Sequence, residues 1–352
     1  MVGTVKQGQR LITILFLFFW CVFSSVPVEA SLIKPHITAQ SAVIIDYKTG
    51  RILYSKNRNV CRYPASTLKL LTAITALDKY PVTKRFSVSR KASLAEPSKV
   101  FLRKGETYTL GDLIKALLIS SANDAAICIA EGAGGTEYRF ARQMTATARQ
   151  FGCRHSNFTN ASGLPDKNQY TTAYDMARVM KAAHQYPFIR KCLETQSTSI
   201  RRPNGQRIRL KNHNKLLNGY PVAVYGKTGY TQAARHCFAC VARYRHKQVV
   251  MVMLKANTNW TNVKRLVNYG TGYRPPKASL VKKIRHNNKR YSKRHTKRIQ
   301  QALRKAGFNP GQVDGVFGTR TVRAIMRFQQ VHGLCCDGII GPQTLRALET
   351  YM

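Results

Sequence analysis

Apolar and polar positions change rhythm along this chain, and the changes mark its elements. Over residues 41–55 they alternate through Ala42, Ile44 and Asp46, turn at Lys48-Thr49-Gly50, and resume with Ile52 and Tyr54, the period-two pattern of a β-hairpin. From Ser66 the spacing lengthens: Leu68, Leu70, Leu71, Ile74 and Leu77 recur at helical period, and Pro64 just upstream suits a helix entry. A second helix over Leu113–Ile119 leads into Ser121-Ala122-Asn123, and Ala125–Ala130 continues helically to Gly132. Helical pattern persists to about Leu193. Strand character returns in Pro221–Tyr225, Cys237–Tyr244 and Gln248–Leu254, the last rich in β-branched residues and methionine, and Asn262–Tyr269 has the spacing of a closing helix. Strands at both ends of a helical middle predict an α+β domain whose first and last strands pair in a single antiparallel sheet.

The two ends of the chain break this pattern. Residues 1–30 open with Lys6 and Arg10, run apolar from Leu11 to Phe23 and end on Val28-Glu29-Ala30, which reads as a signal peptide cleaved after Ala30. The apolar run is short for a bilayer span. Past Gly272, basic residues recur from Arg274 to Arg298 without one Asp or Glu, so 273–297 reads as a solvated, self-repelling linker and a flexible tether. Beyond it an internal repeat begins: Asp314-Gly315-Val316-Phe317-Gly318 through Ile325 is echoed by Asp337-Gly338-Ile339-Ile340-Gly341 through Leu348, each copy a turn feeding a helix. The expected divisions are a signal peptide (1–30), a main domain (31–272), the linker (273–297) and a C-terminal domain (298–352).

Charge narrows the partners. With 58 Lys and Arg against 15 Asp and Glu, the formal net charge is +43, which calls for an anionic polymer. No recognition helix, zinc finger or aromatic RNA-binding pattern accompanies the charge, so no specific nucleic acid is expected, and an exported protein meets wall or envelope polyanions instead. Of nine cysteines, all but Cys21 follow the signal segment. Export permits disulfides, yet no pairing follows from the spacing. Cys237 and Cys240 stand three apart on a strand, hence on opposite faces, and read as small buried hydrophobes rather than a redox pair. Cys336 replaces Val313 of the first repeat and is expected to pack in a core. The histidines show no metal-ligand spacing, and neither metal nor organic cofactor is expected.

The chemistry lies in three clusters. Ser66-Thr67-Leu68-Lys69 sets a hydroxyl and an amine three residues apart on one helix face, a nucleophile with an attached base, at a helix N-terminus that favours developing negative charge. Ser121-Ala122-Asn123, between two helices, supplies a second hydroxyl and an amide. Lys227-Thr228-Gly229, at the opening of an expected edge strand, supplies a cation, a hydroxyl, and a glycine where a ligand comes close to the backbone. Each cluster alone is uninformative. The chain even carries a second Lys-Thr-Gly at Lys48-Thr49-Gly50, assigned to the hairpin turn, and only the later copy follows both other clusters in order.

Together, Pro64-Ala65-Ser66-Thr67-Leu68-Lys69, Ser121-Ala122-Asn123 and Lys227-Thr228-Gly229-Tyr230 resemble the three signatures of penicillin-recognising serine acyl enzymes, with the order and separations of the low-molecular-mass D-alanyl-D-alanine carboxypeptidases of peptidase family S11. The hairpin Asp46–Leu53 and the segment Phe158-Thr159-Asn160-Ala161-Ser162-Gly163-Leu164-Pro165-Asp166, similar to that family's Ω-type loop, extend the likeness over residues 35–272. The resemblance implies a β-lactamase/transpeptidase-like fold, an antiparallel sheet with flanking helices and a helical lobe. It also implies an acyl-enzyme on Ser66, Lys69 as base, Ser121 passing a proton to the leaving amine, Asn123 orienting the peptide, and Lys227 and Thr228 holding the terminal carboxylate. Backbone N–H groups of Ser66 and Tyr230 would form the oxyanion hole. The implied partners are peptidoglycan stem peptides ending in D-Ala-D-Ala and, as covalent inhibitors, β-lactam antibiotics. Two departures stand out: Thr67 precedes Leu68 where many relatives place Thr next to the lysine, and no β-rich C-terminal domain or amphipathic membrane anchor is evident. Instead, residues 298–348 resemble a three-helix peptidoglycan-binding domain, through Gln300-Gln301-Ala302-Leu303, Gly307-Phe308, the Asp-Gly turns and Phe328-Gln329, with Asp314 and Asp337 in structural roles.

Three rival functions share part of this pattern. A D,D-endopeptidase cutting crosslinks uses the same residues. A class A β-lactamase needs a Glu-x-x-Leu-Asn pattern between the second and third clusters, and the acids of that interval, Asp124, Glu131, Glu137, Asp166, Asp175 and Glu194, form none. A non-catalytic wall or polyanion binder has no need of three intact clusters.

Overall fold

The structure is a computed structural model that describes residues 34–218, 220–275, 284 and 286–352, so the expected signal peptide lies outside the described residues. The alternating segment forms the antiparallel hairpin of β1 (Ser41–Asp46) and β2 (Ile52–Lys56). Its turn is held by the Asp46 carboxylate, which accepts from the backbone N–H and the hydroxyl of Thr49 at 2.7 and 2.8 Å, while Gly50 takes φ +75°. The first Lys-Thr-Gly is therefore a turn, as expected.

A 3-10 turn, Ala65–Leu68, runs into α1 (Lys69–Leu77). The helical period read from the sequence forms α1, which is buried all round from Lys69 to Ala76 because it is the axle between the sheet and the helical lobe. That lobe begins with β3 (Arg85–Ser87), α2 (Arg90–Ser93), β4 (Thr107–Thr109) and α3 (Leu110–Ile119). It continues through α4 (Asn123–Gly134), α5 (Glu137–Gln150), α6 (Ala173–Gln185) and α7 (Pro187–Glu194). Thr109, Thr136 and Thr172 cap α3, α5 and α6 by accepting the N–H three residues on. A hairpin of β5 (Ser197–Arg201) and β6 (Arg207–Lys211) follows, which the hydrophobic pattern does not reveal: only Ile200 and Leu210 are fully buried, with Ile208 half-buried beside them, among arginines and lysine.

The chain returns as β7 (Ala223–Thr231), β8 (Arg235–Tyr244), β9 (Lys247–Ala256) and α8 (Trp260–Thr271). The five-stranded sheet has the order β2-β1-β9-β8-β7, so the first and last strands pair antiparallel, as the sequence predicts, and β7 is an edge. Strand alternation divides the core. Val43, Ile45, Cys237, Val241, Val250 and Val252 face the helical lobe. Ile44, Phe238, Cys240, Met251 and Met253 face α8, which presents Val263, Leu266 and Val267. Cys237 and Cys240 thus sit on opposite sides of the sheet, and the eight described cysteines are free thiols.

In the C-terminal region α9 (Lys293–Lys305), α10 (Thr319–Val331) and α11 (Pro342–Glu349) enclose Ile299, Leu303, Ile325, Phe328, Ile340 and Leu348. The repeat has one internal logic. Buried Gln300 donates to Asp314 Oδ1, Val316 O and Thr321 Oγ1 and accepts from Gly315 N; buried Gln329 does the same with Asp337, Ile339, Thr344 and Gly338. Each Asp-Gly turn is clamped to the preceding helix, so both aspartates are structural.

Two expectations need correction here. Cys336 is partly exposed rather than a core residue, because its repeat position lies in the loop ahead of the clamped turn, where Val313 is also half-buried. The described residues of the basic stretch from Ile284 on are also packed rather than a free tether. Ile284 packs on Val322, Asn288 bonds Gly338 O and Ile340 N, Arg290 donates to Ile340 O, and α9 begins at Lys293. Charge density predicts solvation, but buried Ile284 and Asn288 anchor the stretch to the C-terminal helices. Residues 276–283 of the expected linker lie outside the described residues. Farther along, buried Arg327 of α10 donates to Pro221 O at 3.2 Å, docking the C-terminal helices onto the main domain.

Candidate active site

The three clusters, far apart in sequence, meet at one cleft of about 730 Å³, lined by Ser66, Ser121, Asn123, Thr228, Gly229 and Tyr230 among others. Ser66 stands on the 3-10 turn that opens α1, which puts its hydroxyl one turn from Lys69: Lys69 Nζ is 2.8 Å from Ser66 Oγ. Lys69 also donates to Asn123 Oδ1 at 2.7 Å and to the Ser162 carbonyl. A neutral amine has two N–H bonds and one lone pair. With both hydrogens given to Asn123 and Ser162, the lone pair is left for the Ser66 hydroxyl.

Electrostatics favour that neutral form. Lys69 is fully buried, and burial, followed by the charge of Lys227, pulls it well below the usual lysine value, against a weaker opposing pull from Asp124. Lys227, 2% exposed, is lowered by burial to about 7. Its ammonium donates to Ser121 Oγ at 2.8 Å and to Thr228 O at 3.0 Å, and a third N–H remains for a ligand. The second hydroxyl is thereby fixed by Lys227. Ser121 takes φ +61° to reach that place, a strained conformation for a serine that the surrounding structure must over-determine.

The edge position of β7 explains the third cluster. Lys227-Thr228-Gly229 lies in the middle of β7, not at its opening, because the strand extends from Ala223 through Thr231. Its outer edge runs past the turn bearing Ser66. A methyl group on Gly229 would lie 3.0 Å from both Ala65 Cβ and Ser66 N, and one on Gly163 2.2 Å from Ala65 O. Only glycine at both positions lets strand and loop close on the serine from two sides. Tyr230 is 54% exposed beside the cleft, its ring 4.8 Å from that of His236.

Several residues of the site escape a reading of the sequence. The Ser162 carbonyl acts through its backbone, which no side-chain pattern encodes. Asp124, fully buried, accepts from Val100 N and Leu102 N at 3.0 Å and Ala125 N at 2.9 Å, pinning the 96–102 loop beside the cleft; burial raises its pKa. That loop in turn takes the Asn123 side-chain amide, which donates to Glu96 O and Pro97 O at 2.9 and 3.1 Å. Asn123 is thus committed to Lys69 on one side and to the loop on the other, a positioning role that the expectation of peptide orientation alone does not include. His213 lines the cleft and is held below its ordinary value by burial and then by Lys227 and Lys69. Adjacency to Asn123 is the only sequence signal for Asp124, and His213 has none.

Comparison with known proteins agrees with this geometry. A family model described as D-alanyl-D-alanine carboxypeptidase matches residues 28–258, and one described as a putative peptidoglycan binding domain matches 295–348. The chain is 34% identical over 225 residues to D-alanyl-D-alanine carboxypeptidase DacF of Bacillus subtilis, covering 62% of this chain and 58% of the relative's length. It is 31% identical over 249 residues to D-alanyl-D-alanine carboxypeptidase DacB2 of Mycobacterium tuberculosis, covering 68% and 85%. The crystal structure of a D-alanyl-D-alanine carboxypeptidase from Mycobacterium tuberculosis superposes with a TM-score of 0.66 at 29% identity, over 70% of this chain and 96% of that one. The matched span runs from β1 through β9 and carries all three clusters, and by it the chain belongs to the D-alanyl-D-alanine carboxypeptidase family of serine peptidases.

Proposed function

We propose that this protein removes the terminal D-alanine of peptidoglycan stem peptides through an acyl-enzyme on Ser66. The observation that carries the reading is the pair of buried lysines, one 2.8 Å from each serine hydroxyl. Lys69, neutral and with its lone pair on Ser66, takes the hydroxyl proton as Ser66 Oγ attacks the penultimate carbonyl. Ser121, held by Lys227, passes a proton to the departing D-alanine amine. The Ser66 and Tyr230 N–H groups receive the oxyanion, an interaction commonly worth about 3–4 kcal/mol per donor. Lys227 and Thr228 hold the substrate carboxylate, whose charge restores the full protonation that burial alone disfavours in Lys227. Water then releases the acyl group. No step draws on a metal or an organic cofactor.

The C-terminal helices bind the polymer, the basic surface adds a salt-sensitive attraction to anionic wall or envelope polymers, and residues 1–30 export the protein to the periplasm or wall. Among the described residues no helix is long and apolar enough to cross a membrane.

Labelling with a fluorescent penicillin tests the chemistry. The native protein forms a denaturation-resistant adduct, and Ser66→Ala forms none while remaining folded. An adduct on a tryptic peptide that lacks residue 66 would sink the assignment. Release of D-alanine from a pentapeptide, set against cleavage of a crosslinked dimer, separates carboxypeptidase from endopeptidase action.

A further inference from the structure

The Ser66 cleft does not end at the catalytic residues. A second cavity of about 380 Å³ shares Glu96, Ser162 and Leu164 with it and so continues it. Leu94, Ala95, Ile127 and Leu164 give this cavity an apolar wall, and Leu94 is 68% exposed. Lys91 and Glu137 also line it, and they satisfy each other: Lys91 donates to Glu137 at 2.6 Å, and Glu137 accepts besides from Ala161 N at 3.2 Å. Glu96 differs. Its exposed carboxylate makes no hydrogen bond or ion pair among the described residues, on a chain with 58 Lys and Arg. Glu194 and Glu349 share that condition among the described residues, but neither lines this cavity or the Ser66 cleft. The Glu96 backbone fixes its place: Glu96 O accepts from the Asn123 amide at 2.9 Å, Asn123 Oδ1 accepts from Lys69, and Lys69 reaches Ser66 Oγ.

We propose that this cavity is a subsite for the side chain of the residue preceding the two D-alanines of the stem peptide, and that Glu96 selects one ending in a free ammonium, that of a diamino acid. The inference rests on the carboxypeptidase reading and names its substrate class. Neither Lys227 nor Thr228, assigned to the leaving D-alanine, lines the cavity, so it serves the acyl part of the substrate. The preceding residue stands one Cα step, about 3.8 Å, upstream of the acylated D-alanine, and its side chain therefore leaves the peptide close to Ser66. Methylenes suit Leu94 and Ile127, while the ammonium at their end meets the carboxylate that no other side chain claims. An amine already acylated in a crosslink has no charge to offer. The subsite therefore favours stems whose amine is still free.

The full chain is tested on Nα-acetyl-L-lysyl-D-Ala-D-Ala and on its Nε-acetylated and norleucyl counterparts, with kcat/KM for D-alanine release as the readout. The lysyl peptide is expected to be preferred about threefold over both, the scale of an ion pair partly open to water. Glu96→Gln is expected to bring that ratio to about one and Glu96→Asp to keep part of it. Glu194→Gln, an exposed and equally unpaired carboxylate outside both clefts, is expected to keep it whole. A meso-diaminopimelyl peptide that outruns the lysyl one identifies that diamino acid as the occupant, and a slower one identifies lysine. The same peptides are ranked by how far each slows labelling with a fluorescent penicillin, which reads occupancy of the cleft without turnover. Absence of release from every peptide would sink the carboxypeptidase reading, and the order of protection would still decide the subsite. The proposal is overturned if the native protein treats the lysyl, acetylated and norleucyl peptides alike in both readouts, if Glu96→Gln retains the native preference, or if Glu194→Gln loses it equally, the mark of diffuse attraction.

Discussion

At the scale of single residues the site turns on what burial does to two lysines. In water both would be charged at neutral pH; here burial comes first and mutual repulsion second in depressing Lys69. In the proposed mechanism Lys69 acts in its neutral form, so activity is expected to rise with pH as that proton leaves. Removing the positive neighbour raises the Lys69 pKa, and the acid limb of the pH profile for residual penicillin acylation in Lys227→Ala therefore moves to higher pH. An unshifted limb would show that burial alone sets the value. Release of D-alanine from a peptide is expected to fall by orders of magnitude in the same variant, because the proposed mechanism gives the substrate carboxylate to Lys227. Lys48→Ala, in the β1–β2 turn, leaves release nearly unchanged. The two Lys-Thr-Gly triplets are identical as text, and their surroundings separate them: Lys227 is buried against Ser121, whereas Lys48 is solvated.

At the scale of elements, an edge strand and a helix entry are brought into contact by glycine. The Gly229 Cα faces Ala65 and Ser66 so closely that Gly229→Val must push the serine turn away from β7. Valine suits a strand, so the fold survives, but acylation drops by about a hundredfold, the scale of loss for a displaced reacting group. Gly205→Ala, in the β5–β6 turn at φ +85° with nothing within 4 Å, is the contrasting case: it strains the turn by about 1 kcal/mol and leaves acylation unchanged. Equal acylation rates in native and Gly229→Val protein would remove the argument for close approach. Hairpin, helices and the central strands are legible in the hydrophobic rhythm because each buries a full face. The β5–β6 hairpin is not legible, since only Ile200 and Leu210 are fully buried with Ile208 half-buried, and the all-round burial of α1 is visible only once its neighbours are in place.

At the scale of the whole molecule, the C-terminal helices are docked and not merely strung on a basic tether. Arg327 reaches Pro221 O, and Tyr273, past the expected end of the main domain, packs on Tyr220 and Tyr244. A chain ending at Pro275 keeps Tyr273 and retains its rate on a small soluble D-Ala-D-Ala peptide. It melts a few degrees lower, having lost the docked surface, and fails to sediment with purified sacculi. Co-sedimentation of the short and full chains to the same extent, at low and high salt, would reduce the C-terminal helices to a structural appendage.

By itself the sequence determined the α+β class, the pairing of the first and last strands, the three clusters and the repeat, since each is written in local spacing or in residue identity. It also determined that Ser66 and Lys69 share a helix face, because three residues of helix suffice for that. Only the tertiary structure decided that Ser162 offers a carbonyl to Lys69, that Asp124 pins the loop whose carbonyls hold Asn123, and that Ile284 and Asn288 anchor a stretch whose charge speaks for a linker. The reason is physical. Backbone carbonyls carry no residue signature, and a charged stretch reveals its buried positions only against the surface that buries them.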